Sequence, residues 1–144
     1  MRLPSGATVS DPVTVDQFNA LVAAELPFAD AMGIRALSIA EGSARVRLPH
    51  DDVQLRPGGT ISGPAMFCLA DVCMYAVVLG AIGHVTLAVT STVTIDFLKA
   101  PKPGDLVATG TLLKLGRRLA VMRVEIHDQD GRMVAHATGT YARP

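Results

Sequence analysis

The stretch Arg56-Pro-Gly-Gly-Thr-Ile-Ser-Gly-Pro-Ala-Met-Phe-Cys-Leu-Ala-Asp71, which continues as Val72-Cys-Met-Tyr-Ala-Val-Val-Leu-Gly80, constrains everything else in this chain. A turn rich in Gly and Pro leads into an apolar segment over residues 63–82, and Pro64 and Asp71 within it favour a buried helix over a membrane span. A helix that is apolar on most faces needs cover on most sides. An antiparallel sheet curling around it provides that cover. Apart from His84, Asp71 is the sole acidic or basic side chain between Arg56 and Asp96. An ionised carboxylate among apolar neighbours is costly unless it has a partner or a task, which makes Asp71 the first candidate for chemistry.

The 144 residues suit one folded unit, read here as an N-terminal arm over 1–13 and a single domain over 14–144. Pro4, Gly6 and Pro12 leave the arm without periodicity. Thr14 or Asp16 can cap a first helix in which Phe18, Leu21, Val22 and Leu26 recur at helical spacing until Pro27. Residues 28–33 read as a turn or short helical piece. In 34–48, Ala44, Val46 and Leu48 alternate with Arg45 and Arg47, and Glu41-Gly42 makes a turn, so a hairpin with one wet face is expected. Residues 49–59 are polar and rich in breakers. Partial alternation over 85–98, 106–115, 119–127 and 132–141 predicts an antiparallel meander, with 100–104, 116–117 and 128–131 as turns. The fold class is therefore α+β.

Charge excludes one large class of partner. The 13 basic and 13 acidic residues cancel, and the densest basic cluster is Lys114 with Arg117 and Arg118, so nothing marks a nucleic-acid footprint. The N-terminus lacks the apolar stretch of a signal peptide, and the expected compartment is the cytoplasm, with no membrane partner. With 49% hydrophobic and 18% charged residues, one copy is expected to leave apolar surface for another. Cys68 and Cys73, five apart on the helix, point about 140° apart and should neither bridge nor share a metal. His50, His84, His127 and His136 have no metal-ligand spacing, and Gly58-Gly59-Thr60 lacks the lysine of a phosphate loop. No metal and no resident cofactor is expected.

The arrangement, over residues 28–141, resembles the hotdog-fold acyl-CoA thioesterases, in the branch related to the phenylacetate-pathway thioesterase. That resemblance implies a curled antiparallel sheet wrapped around one long central helix. The residues that carry it are the turn Ser62-Gly63-Pro64, the triplet Leu69-Ala70-Asp71 at the family's spacing, Thr90 on the long strand, and the run from Phe97 through Pro101 and Pro103 to Asp105. Three positions depart from the family's pattern. Ser62 stands where the family has His, Arg56 where it commonly has Asn, and Pro64 where it has a second Gly.

Thioester hydrolysis needs an oxyanion donor and a group that activates water or attacks the carbonyl. The start of the central helix offers free N–H groups and the positive end of its dipole, with Gly63 allowing close approach of a carbonyl. Asp71 serves as general base or nucleophile. Thr90, expected to share a strand face with Thr92, Thr94 and Asp96, would orient the water. Gly63 and Asp71 are about 12 Å apart along a helix, so a dimer should bring Gly63 of one subunit to Asp71 of the other. The resemblance implies the same sharing, and a homodimer assembled further into a homotetramer.

Substrate contacts are expected from Arg56, Ser62 and Pro64 at the turn, and from Phe67 and Tyr75, with Met66 and Met74, in an apolar pocket for a medium-chain or aromatic acyl group. Lys99, Lys102, Arg117 and Arg118 suit the phosphates of coenzyme A, which enters as part of an acyl-CoA substrate. Two alternatives stay open. One is a non-catalytic acyl-CoA or aromatic-ligand binding protein, favoured by Ser62 and Arg56. The other is a hydratase or dehydratase on the same fold, which typically pairs an Asp with a His.

Overall fold

The computed structural model describes residues 11–144. The first ten residues of the arm lie outside the described residues. Where the described chain begins, Val13 is buried and its N–H donates to the Leu79 carbonyl at 3.3 Å.

Helix α1 (Val15–Glu25) starts at Thr14, whose hydroxyl accepts from the Gln17 N–H while the Gln17 side chain accepts from the Thr14 N–H, a reciprocal capping box. Its buried face is Phe18, Leu21 and Val22. Pro27 opens the short helix α2 (Pro27–Ala31). Strands β1 (Arg35–Ala40) and β2 (Ser43–Leu48) form the expected hairpin, in which Ala44, Val46 and Leu48 are buried and the two arginines exposed. A tiny ribbon of β3 (Leu55–Arg56) and β4 (Thr60–Ile61) then turns the chain into α3 (Gly63–Ile82). Gly58 and Gly59 both have positive φ in that turn, a conformation that favours glycine.

Four long strands complete the chain: β5 (Val89–Phe97), β6 (Leu106–Leu115), β7 (Leu119–His127) and β8 (Met133–Ala142). The six main strands form one antiparallel sheet in the order β1-β2-β6-β7-β8-β5. The simple meander expected from the sequence is therefore corrected. Strand β5 lies against β8 at the sheet's edge, and residues 98–105 cross to β6 rather than making a hairpin turn. Alternation tells which residues face one way, and it carries no information about which strand lies alongside.

The sheet curls around α3, whose length and apolarity alone would suit a membrane span but whose side chains are mostly buried in the protein. Small residues on the sheet's inner face let the helix come close. A Cβ at Gly110 would lie 2.6 Å from Val77 Cγ2, and one at Gly139 would lie 2.6 Å from Met74 Sδ and 2.9 Å from the Thr92 carbonyl. Cys73 is fully enclosed here, with Sγ 3.7 Å from the Ala108 oxygen, and burial pushes its thiol up from 9.0 to about 12.

That shift makes stability depend on pH with a definite sign. Below pH 9 the thiol is protonated in the folded and unfolded chains alike, and its contribution is fully present. Between pH 9 and about 12 the unfolded thiol ionises while the folded one keeps its proton, so stability is lost as pH rises. We expect the urea midpoint to fall across this window, and to fall less steeply in Cys73→Ala, with a slope difference approaching roughly 1 kcal/mol per pH unit. Equal slopes in the two proteins would show that the Cys73 thiol is not the group responsible.

Candidate active site

Two ends of β5 organise the site. This strand runs antiparallel to α3, so Gly63 at the start of the helix meets the Phe97 ring, while Asp71, two turns on, meets Thr90.

At the helix start, the first four positions of α3 can be followed one by one. Ala65 N–H donates to Ser62 Oγ at 3.3 Å, Met66 N–H donates to the Ser62 carbonyl at 3.3 Å, and Pro64 has no N–H. The Gly63 N–H alone is left without an acceptor among the described residues. Ser62, expected among the substrate contacts, is thus the helix cap. A Cβ at residue 63 would stand 3.3 Å from Phe97 Cζ, so glycine is what lets this turn lie against the ring.

Gly63 and Phe97 form a ridge shared by two clefts of different chemistry. One, of about 600 Å³, is lined by Phe28, Pro64, Phe67, Cys68 and Asp71 as well as the ridge. The other, of about 450 Å³, carries Arg56, Thr60, Met66, Leu98 and Lys99. The first is apolar along most of its length, and the second holds two cations. Burial, and then the Asp71 charge, push the Cys68 thiol to about 11, so it lines the apolar cleft as a neutral group.

At the other end, the carboxylate of half-buried Asp71 is held from one side. Thr90 Oγ1 donates to Oδ1 at 2.6 Å, and the Tyr141 hydroxyl donates to the same oxygen at 2.8 Å. Burial, with the Asp71 charge second, holds the Tyr141 hydroxyl far above its usual range, so it remains a donor. Both hydroxyls address Oδ1, and Oδ2 accepts from neither. Asp71 also borders a third cleft of about 480 Å³ with Leu21, Leu26, Val72, Tyr75, Leu87 and Thr90.

The position of Thr90 corrects a sequence expectation. The β5–β8 register steps from Thr90↔Tyr141 to Thr92↔Thr140, which leaves Ser91 as an extra residue in a β-bulge. The bulge reverses the alternation. Thr92, Thr94 and Asp96 pair with Thr140, Thr138 and His136 on the outer face, while Thr90 turns with Tyr141 toward α3. Without the bulge its hydroxyl could not reach Asp71.

Tyr141 itself was missed. The inner-facing positions of β8 run Ala135, Ala137, Gly139 and Tyr141, and a large hydroxyl-bearing residue ending a row of small ones was the available signal. The remaining expected contacts divide. Arg56, Lys99, Pro64 and Phe67 gather around Gly63. Tyr75 walls the third cleft with its ring, stacked on Tyr141 at 6.1 Å, and its hydroxyl donates to the Thr86 carbonyl at 2.8 Å. Arg117 lies elsewhere, on the β6–β7 turn at the opposite end of the sheet from Gly63, beside Arg118 and Arg143.

A family model of the thioesterase superfamily matches residues 58–135, more than half of the chain; the match includes Gly63, Asp71, Thr90 and Phe97 and leaves Phe28, Arg56 and Tyr141 outside. The chain belongs to that superfamily. Its fold is the hotdog fold, as the resemblance implied. Among solved structures, a protein of Silicibacter sp. TM1040 described as a candidate thioesterase is 37% identical, with 96% of each chain covered and a TM-score of 0.83. The PaaI protein from the phenylacetic acid degradation operon of E. coli is 31% identical over 87% of this chain and 95% of that one, with a TM-score of 0.75. The protein smu.793 of Streptococcus mutans, solved bound to acetyl CoA, is 28% identical over 77% of this chain and 88% of its own, with a TM-score of 0.70. Within this member of the superfamily, the matched residues run from the Gly58-Gly59 turn through Gly63, Asp71 and Thr90.

Proposed function

We propose that the protein hydrolyses acyl-CoA thioesters to a free acid and coenzyme A, with a medium-chain or aromatic acyl group. The observation that carries this reading is the Gly63 ridge: one free N–H between an apolar cleft and a cleft with Arg56 and Lys99. A CoA thioester has the matching chemistry, an apolar acyl group on one side of its carbonyl and phosphates on the other. The acetyl CoA bound to the Streptococcus relative supports the same substrate class.

In this mechanism the Gly63 N–H polarises the carbonyl oxygen and stabilises the charge that develops on it. Asp71 either takes a proton from water as the water attacks the carbonyl carbon, or attacks that carbon itself. Collapse of the tetrahedral intermediate expels the CoA thiolate, which takes up a proton. Where Asp71 is the nucleophile, collapse leaves a mixed anhydride on its carboxylate, which water then hydrolyses to release the acid and restore Asp71. Thr90 and Tyr141 hold Oδ1 and so aim Oδ2 at the reaction, and the lone pairs of Thr90 Oγ1 can orient the water.

Residues 63 and 71 are about 12 Å apart along α3, too far to serve one carbonyl within one chain. A second copy supplies the missing half. Strand β5 is an edge that is apolar at its two ends, with Val89 58% and Phe97 50% exposed, Leu98 just beyond it at 57%, and Phe67 beside it at 40%. A two-fold axis through the middle of β5 places the Gly63 end of one subunit on the Asp71 end of the other, because the strand runs antiparallel to the helix.

A binding protein without turnover is the second reading, favoured by Ser62, whose side chain caps the helix where the resemblance has a histidine. Thiol release from a panel of aliphatic and aromatic acyl-CoAs separates the two. Turnover of at least one class is expected. Binding of acyl-CoA without any thiol release across the panel would establish the second reading in its place.

A further inference from the structure

Arg117, Arg118 and Arg143, together with Pro144, line one depression of about 370 Å³ at the end of the sheet. Arg143 is locked onto the turn that carries the other two: its N–H donates to the Arg118 carbonyl at 2.7 Å, and its guanidinium donates to the Gly116 carbonyl at 2.8 Å. The Gly116 N–H closes that turn on the Leu119 carbonyl at 2.8 Å. No described carboxylate lies within 4.0 Å of any of the three guanidiniums, whereas Arg35 is paired with Asp30. Residues 1–10 contain no Asp or Glu, and neither do residues 106–124 or 137–144.

Three arginines around one depression, none of them in an ion pair among the described residues, repel one another, and an anion in the depression would relieve that repulsion. Their remaining N–H groups suit tetrahedral oxygens, which guanidinium forks bind through paired hydrogen bonds. The position ties the depression to the site. Arg143 follows Tyr141 by two residues, about 7 Å along the strand, and Ala142 pairs with Val89, next to Thr90. The cationic depression therefore opens at the same end of the sheet as the Asp71 carboxylate.

We propose that Arg117, Arg118 and Arg143 form a phosphate site that holds the nucleotide end of the CoA substrate. This rests on the acyl-CoA reading above and adds Arg143, and a location shared by Arg117 and Arg118, to it. In the two-fold arrangement of β5 edges, this depression of one subunit and the Arg56 and Lys99 cleft of the other flank one composite site.

Arg118→Gln is the cleaner test, since the carbonyl that accepts from Arg143 is main chain and survives the change. With an acyl-CoA and the corresponding acyl-pantetheine as substrates, the variant should raise KM for the acyl-CoA about tenfold. It should leave kcat unchanged and leave KM for the phosphate-free substrate unchanged. Equal effects on both substrates, or none on either, would overturn the proposal. Calorimetry reads the site without turnover. Wild type should bind coenzyme A more tightly than 3′-dephospho-coenzyme A, and Arg118→Gln should narrow that gap. A gap that persists in the variant, or inorganic phosphate binding as tightly as coenzyme A, overturns the assignment even if hydrolysis is confirmed. A protein that discriminates the two coenzymes yet releases no thiol would keep this site and lose the hydrolase reading.

Discussion

Asp71→Asn is expected to lower kcat on the best acyl-CoA by about 10²-fold or more while leaving thermal stability nearly unchanged. The asymmetry follows from which oxygen does what. Oδ1 accepts from Thr90 and Tyr141, and the amide oxygen of Asn can accept both bonds, so the anchoring to β5 and β8 survives. Oδ2 becomes an amide nitrogen that can neither take a proton from water nor attack a carbonyl. Tyr141→Phe gives the contrast. It removes one donor and leaves the carboxylate and Thr90 in place, so kcat should fall by roughly tenfold or less. Thiol release and a melting curve on the same preparations check both variants. An Asp71→Asn protein with wild-type kcat would reduce Asp71 to an anchor. One whose melting temperature collapsed would show that the charge itself holds the fold.

The second large effect concerns sharing between subunits. Gly63→Pro removes the N–H at the start of α3 that has no acceptor among the described residues, at a helix position that suits proline, and also adds a Cβ that would stand 3.3 Å from Phe97 Cζ. Loss of one oxyanion donor should cost about 10²-fold or more in kcat. Each variant alone is then nearly inactive, but each carries an intact version of what the other lacks. If Gly63 of one chain faces Asp71 of the next, refolding the two variants together makes mixed dimers with one restored site. Random pairing returns about a quarter of the wild-type activity. If one chain holds the whole site, mixing restores nothing, because every chain carries a lesion. The mass of the assembly, measured on the same mixture, shows that dimers formed and keeps a failed refolding from being read as a negative.

Much of this molecule follows from local chemistry that the sequence states directly. Pro27, the Thr14 cap and the spacing of Phe18, Leu21 and Val22 define α1. The apolar run after Ser62, broken by the single charge of Asp71, specifies a helix that must be enclosed, and strand alternation specifies a sheet with one face to enclose it. Ser62, read from the sequence as a substrate contact, shows its capping role only in the folded chain, whereas Pro64, with no N–H, already narrows the free donors at the helix start. These features depend on neighbours within a few residues, and so a linear reading reaches them.

The tertiary structure alone decided the rest, because it turns on contacts between residues far apart in the chain. Nothing in the alternation of β5 says that it pairs with β8, or that Ser91 bulges and turns Thr90 inward. That pairing is what brings Tyr141, seventy positions away, onto the Asp71 carboxylate. Nor does spacing place Arg143 against the turn of Arg117 and Arg118, or set an apolar and a cationic cleft on either side of Gly63. Side-chain periodicity fixes which face a residue takes within its own element. Strand partners, register and bulges fix which faces meet, and they are settled by packing the whole chain around α3.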